Sequence, residues 1–139
     1  MKLTNTQSMK AKSGMTLLEL TVVILVLLSL ISILFVGARA WKKGSDRAAN
    51  IMNIRNVQQA VRGQQNMRGL AVAALLPKES IVGEAGFLRE PTPPDSGIVY
   101  TGQYLGTVPG PGILYLDPVY NSPLIAGDYH PEATAILQW

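Results

Sequence analysis

At 139 residues the chain holds about one domain's worth of material, and an apolar N-terminal run takes a sizeable share of it. The absence of cysteine excludes disulfides, thiolate zinc sites and thiol catalysis together. The net charge of +3 equals the contribution of Lys2, Lys10 and Lys12, which precede Gly14 with no acid among them; the rest of the chain is neutral, so the basic excess is no sign of a nucleic-acid partner. That neutral remainder is segregated. The stretch 39–68 carries seven basic residues against Asp46 alone, whereas from Gly69 onward seven acids face only Lys78 and Arg89. Such a division fits either of two roles: steering neighbouring subunits together, the helix of one against the domain of another, or simply a solvated charged face beside a soluble domain.

In chain order, the run 15–38 has 24 residues with Glu19 as its only ionisable side chain. At about 1.5 Å per helical residue it reaches roughly 36 Å, enough to cross a bilayer core with some tilt. It lacks proline and shows no polar stripe, as expected of a helix surrounded by lipid or by other apolar helices. A secretory signal peptide would account for the leading lysines and offers Ala38-Arg39-Ala40 as a cleavage site, but the run exceeds the usual apolar region of about 7–15 residues. A plain single-pass anchor accounts for the length and leaves Glu19 unexplained. A glutamate inside a membrane helix costs a few kcal/mol on insertion scales and wants a positive partner. A cut between Gly14 and Met15 would supply one, an α-amino group with a reference pKa of about 8, four residues before Glu19. Glu19 then compensates its own amine and helix dipole, or reaches the Met15 amine of a staggered neighbour and sets axial register.

The segment Gly14-Met15-Thr16-Leu17-Leu18-Glu19, behind a short basic leader and ahead of an unbroken apolar run, resembles the class III signal of type IV pilins and type II secretion pseudopilins. The likeness covers Lys10 to about Arg55 and departs from the family pattern at Met15, where phenylalanine is commonest, and at Ser13, which separates Lys12 from the glycine. It implies an α+β, pilin-like fold: a long N-terminal α-helix whose first half spans the membrane, with a small C-terminal β-containing head. It further implies that a prepilin peptidase cuts after Gly14 and methylates the Met15 amine, and that Glu19 guides assembly. The implied product is a homo-oligomeric filament built with related minor pseudopilins on an inner-membrane assembly platform. The leader would be cytoplasmic and the head periplasmic or extracellular. Positive-inside counting does not fix the orientation by itself, because Arg39, Lys42, Lys43 and Arg47 follow the run as closely as the lysines precede it.

The expected organisation is therefore a leader over 1–14, a membrane and assembly segment over 15–38, an amphipathic half-helix over 39–68 and a turn-rich head over 69–139. Ala48, Ile51, Ile54, Val57 or Gln58, and Val61 recur every three or four residues as a packing face. Arg47, Arg55, Arg62 and Arg68 are expected on the opposite face with Asn56, Gln59 and Gln65; with no aromatic platform among them, a nucleic-acid interface is disfavoured. Gly37 and Gly44 are candidate bending points, and Gly69 is expected to end the helix. Residues 70–76 read as a short helical turn stopped by Pro77. Residues 97–101 and 112–116 read as strands of one hairpin, and residues 134–139 as a further edge strand that places Trp139 in the core or an interface.

Chemistry in the head is thin. His130, the only histidine, precedes a proline and is expected on a solvent-facing loop. Asp95, Asp117 and Asp128 are weak oxygen-ligand candidates for calcium, Asp117 and Asp128 foremost, with turn-forming aspartates as the alternative. No other cofactor and no catalytic constellation is expected. Length and the missing cysteines point to the pseudopilin side of the family, and the competing reading is a single-pass membrane-anchored binding module with an ordinary signal anchor.

Overall fold

The structure is a computed structural model and describes Gly14 and residues 16–139. Residues 1–13 of the expected leader, and Met15, lie outside the described residues. One long helix, α1 (Leu17–Arg68), is followed by a small head with a two-stranded antiparallel sheet, β1 (Ile98–Val99) and β2 (Val119–Tyr120), and two short helices, α2 (Pro123–Tyr129) and α3 (Ala133–Ile136). This is the long apolar helix and small β-containing head expected from the sequence. The chain divides into two compact units at Arg39/Ala40.

In the first unit α1 is apolar throughout. Its best 18-residue window has a mean hydropathy of 3.0 and none of it is buried, so it is long and apolar enough to cross a membrane. Leu17, Leu25, Leu34 and Val36 are among the side chains that stand fully in the open. The few polar side chains close on the helix itself: the hydroxyls of Thr21, Ser29 and Ser32 donate to Leu18 O (2.8 Å), Val26 O (2.7 Å) and Leu28 O (2.8 Å). Hydroxyls satisfied in this way present no unpaired group to an apolar environment. Gly37, a candidate bending point, lies inside α1, as does Gly44 in the second unit.

In the second unit α1 buries Asn50, Ile54, Val57, Gln58, Val61 and Gln64. The expected face is thus right at its apolar centre and wrong at its margins. Ala48 is exposed, while three polar amides take core positions. The helix stops where glycine stands: Gly69 adopts φ 63°, and Leu70 N–H donates back to Gln65 O at 3.0 Å. The main core gathers Val57 and Val61 with Leu76, Ile81, Val82, Ile98, Tyr100, Val108, Tyr115, Leu116 and Tyr129; a smaller cluster joins Ile54, Leu114 and Ile136, with Trp139 packed against it. Trp139 therefore sits with the core, as expected.

Three local expectations are corrected. Residues 97–101 do not form a hairpin with 112–116: Ile98 pairs with Tyr120 and Val99 with Val119. Residues 112–116 instead lie along α1, where Gln58 accepts from Tyr115 N–H at 2.9 Å and donates to Ile113 O at 3.1 Å, taking the groups a hairpin partner would need. Residues 70–76 are not helical. Ala73 has φ 68°, outside the helical region, and the stretch pairs with 106–108 through Ala73 N–H to Val108 O, Val108 N–H to Ala74 O and Leu76 N–H to Gly106 O, each 2.9 Å. Residues 134–139 are not an edge strand; α3 forms there after Pro131, turning Ile136 inward. Helix α2 is an addition, started by Ser122, whose hydroxyl accepts from Leu124 N–H at 3.3 Å, with Pro123 in the first turn.

Burial pushes the hydroxyls of Tyr104 and Tyr115 up to about 12. Both titrate near 10 in an unfolded chain, so the neutral form that the fold prefers is complete below about pH 10 and is lost as pH rises toward 12. The head is therefore expected to lose stability progressively over that window in denaturant titrations, and Tyr115→Phe should flatten this alkaline limb.

Candidate functional site: the start of helix α1

Four residues build the first turn. Thr16 precedes the helix; its N–H donates to Glu19 Oε2 at 3.0 Å, and Glu19 N–H donates to Thr16 Oγ1 at 3.3 Å. Leu20 N–H closes the first helical bond to Thr16 O at 3.2 Å. Thr16-Leu17-Leu18-Glu19 is thus a reciprocal capping box, in which threonine and glutamate satisfy two backbone donors that a helix start leaves open. The sequence carries this signal openly, Thr-x-x-Glu before an apolar run, and the reading of Glu19 as a partner for an amine passed over it. The carboxylate is held at the positive end of the helix, where an acid is favoured by about 0.3–1 kcal/mol in exposed settings. Only Oε2 accepts a hydrogen bond among the described residues, so the second oxygen is open to a donor from outside this turn. Gly14 is exposed just ahead of the box.

In the head, the calcium candidates are not brought together. Asp95 accepts from Gly97 N–H at 2.7 Å in a turn, Asp128 pairs with Lys43, and Asp117 Oδ1 lies 3.5 Å from His130 Nε2. Among the described residues no three acidic or histidine side chains could share an ion. The hydrogen bond to Asp128, with its charge, holds the Lys43 ammonium above its usual range. His130 stands in extended backbone just past α2 with its side chain 40% exposed, in keeping with the expected loop position. It caps α2, its N–H donating to Ala126 O at 3.0 Å, and it is half-buried edge-on against Tyr120 at 6.0 Å between ring centres. With Gln103, Tyr104, Tyr115 and Asp117 it lines an open cleft of about 450 Å³.

The arginines do not form one face either. Arg62 reaches Pro109 O at 3.0 Å and Gln65 Oε1 at 3.0 Å, while Arg55 stands exposed. What sequence reasoning missed on this helix is the set of buried amides. Asn50 donates to Tyr129 O at 2.9 Å and Tyr120 Oη at 3.2 Å and accepts from the Tyr100 hydroxyl at 2.6 Å; Gln64 donates to Ser80 O at 3.3 Å. With Gln58 and Arg62, they fasten the loops of the head onto α1.

Compared with family models, curated proteins and solved structures, the chain matches none.

Proposed function

We propose that the chain is a structural subunit, not an enzyme, of a type IV pilus-like or type II secretion pseudopilus filament. It is inserted in the bacterial inner membrane by its apolar helix, cut after Gly14 by a prepilin peptidase that also methylates Met15, and polymerised with itself and related minor subunits on an assembly platform. The observation that carries this reading is the conjunction at the start of α1: Gly14 exposed, a capped Glu19 with one carboxylate oxygen open, and behind them an apolar helix with no side chain buried in its best window. A bare apolar rod must be covered by lipid or by copies of itself, and the free oxygen of a carboxylate at its head is best satisfied when a cation comes to it.

The capping box favours a second reading, a single-pass membrane-anchored binding module in which Glu19 does no more than close its own helix start. Mass spectrometry of the mature chain separates the two. A chain beginning at Met15 with one added methyl is the expected result, while an uncut N-terminus, or one at Trp41 left by signal peptidase, rejects the filament subunit.

A further inference from the structure

Within residues 40–139, ionic partners leave a sorted remainder. The described ion pairs join Lys42 to Asp46, Lys43 to Asp128, Lys78 to Glu90 and His130 to Asp117. Among the described residues of this stretch this leaves Arg47, Arg55, Arg62 and Arg68 on α1 without an ionic partner, and Glu79, Glu84, Asp95 and Glu132 on the head likewise, with Arg89 the one unpaired cation there. Unpaired cations on one element and unpaired anions on another make a surface complementary to a second copy of itself.

Two places that combine unpaired charge with an exposed apolar side chain face away from the core of their own copy. On α1, at about 100° per residue, Met52, Arg55, Asn56 and Gln59 fall on the side away from the buried Asn50, Ile54, Val57 and Val61, and all four are exposed. Met52 is 62% exposed. On the head, the loop 83–90 is a rigid projection. Val82 bridges Leu88, Gly83 N–H donates to Leu88 O at 2.9 Å, and Leu88 N–H donates to Ile81 O at 3.0 Å. Gly83 has φ 122°, and a Cβ on Gly86 would stand 2.6 Å from the backbone of Ile81 and Val82, so the turn needs both glycines. This rigid turn holds Phe87 60% exposed and Glu84 exposed, while Arg89 borders a small cleft with Asn53 and Asn56 of its own helix.

We propose that the loop 83–90 of one copy docks on the Met52–Arg55 face of α1 in a second copy, Phe87 lying on Met52 and Glu84 pairing with Arg55. The contact joins two different surfaces, so in a filament each copy uses its loop on one neighbour and its helix face on the other, and the association propagates; a two-fold dimer, in which the two copies satisfy each other reciprocally, is the alternative that a cross-linking ladder rejects. Sulfur–aromatic packing and an exposed ion pair are individually weak. Repetition at every subunit, beside the apolar helices, gives them their effect. This inference rests on the filament reading and adds to it which outer surfaces meet.

The natural lack of cysteine supplies the test. Full-length Arg55→Cys/Glu84→Cys, expressed in membranes with an assembly platform and mildly oxidised, is expected to give a ladder of disulfide-linked multimers, whereas each single variant stops at dimers. Arg55→Glu and Glu84→Arg alone should reduce filament yield at least tenfold, and together restore it. Normal filaments from both single charge variants, or no ladder from the cysteine pair in assembled filaments, overturn the docking while leaving the filament subunit intact. Wild-type chains that form no filament at all, with their N-terminus unprocessed, overturn both.

Discussion

Glu19→Val is expected to abolish filament formation while the chain still enters the membrane. Insertion becomes easier by the few kcal/mol that a carboxylate costs in an apolar segment. Assembly loses the partner of the Met15 amine, and breaking one half of a buried ion pair costs about 3–5 kcal/mol, more than a hundredfold in an association constant. The capping box adds a discriminating variant. Glutamine at position 19 can still accept from Thr16 N–H as the last residue of the box, so Glu19→Gln keeps the local turn and removes only the charge. Loss of filaments in Glu19→Gln, read by electron microscopy with membrane fractionation as the control, assigns the glutamate to pairing between subunits. Full assembly in that variant assigns it to its own helix start and removes the register role. Helix capping alone is worth about 0.5–2 kcal/mol, so Thr16→Ala should weaken the first turn and lower assembly far less than Glu19→Val.

Gln58→Leu should be the most damaging single change in the head. The leucine fills a similar volume, but Tyr115 N–H, held in the core at 2.9 Å from Gln58 Oε1, loses its acceptor, and Ile113 O loses its donor. Each buried backbone group left unpaired costs about 1–3 kcal/mol, so a loss of about 2–4 kcal/mol is expected in chemical denaturation of the full chain in detergent. Gln59→Leu, one position along on the exposed face, provides the contrast and should change stability by no more than about 0.5 kcal/mol. Equal effects at the two positions would show that the amide contacts of α1 do not hold the loops.

The contrast between positions 58 and 59 also explains how much of the fold is legible in the sequence. The apolar half of α1 is readable because 24 residues with one ionisable side chain admit few other structures, and its end is readable because Gly69 takes a positive φ that other residues resist. The buried amides are not readable. Asn50 and Gln64 look like solvent-facing residues until the partner loops are in place, and Gln58 stands in the packing face only as an alternative to Val57, since burying an amide is tolerable only when its partners exist. The hairpin fails for a related reason. Residues 97–101 and 112–116 are equally plausible strands, and the sequence does not announce that Val119–Tyr120 pairs with Ile98–Val99 while Gln58 and Leu105 take the backbone groups of Ile113 and Tyr115. His130 is legible as a loop residue, but the helix it caps is not; the Ser122-Pro123 start that announces α2 is a common turn sequence as well. At the N-terminal site the motif residues are all visible, but the two roles of Glu19, cap and counter-ion, separate only once the geometry of Thr16 is known.

A head fastened by side chains in place of a broad sheet has a further consequence for life at high local density. Its only ladder among the described residues is two residues on each strand, so it offers scarcely any row of free backbone donors and acceptors for a neighbour to extend. Long bare strand margins are the usual seeds of irregular clumping when many identical chains crowd together. Here loop backbone groups pair among themselves, as 73–76 do with 106–108, and others are engaged by Asn50, Gln58, Arg62 and Gln64 of the same molecule. Crowded copies are thus left to recognise each other through side chains, which can be specific and can let go.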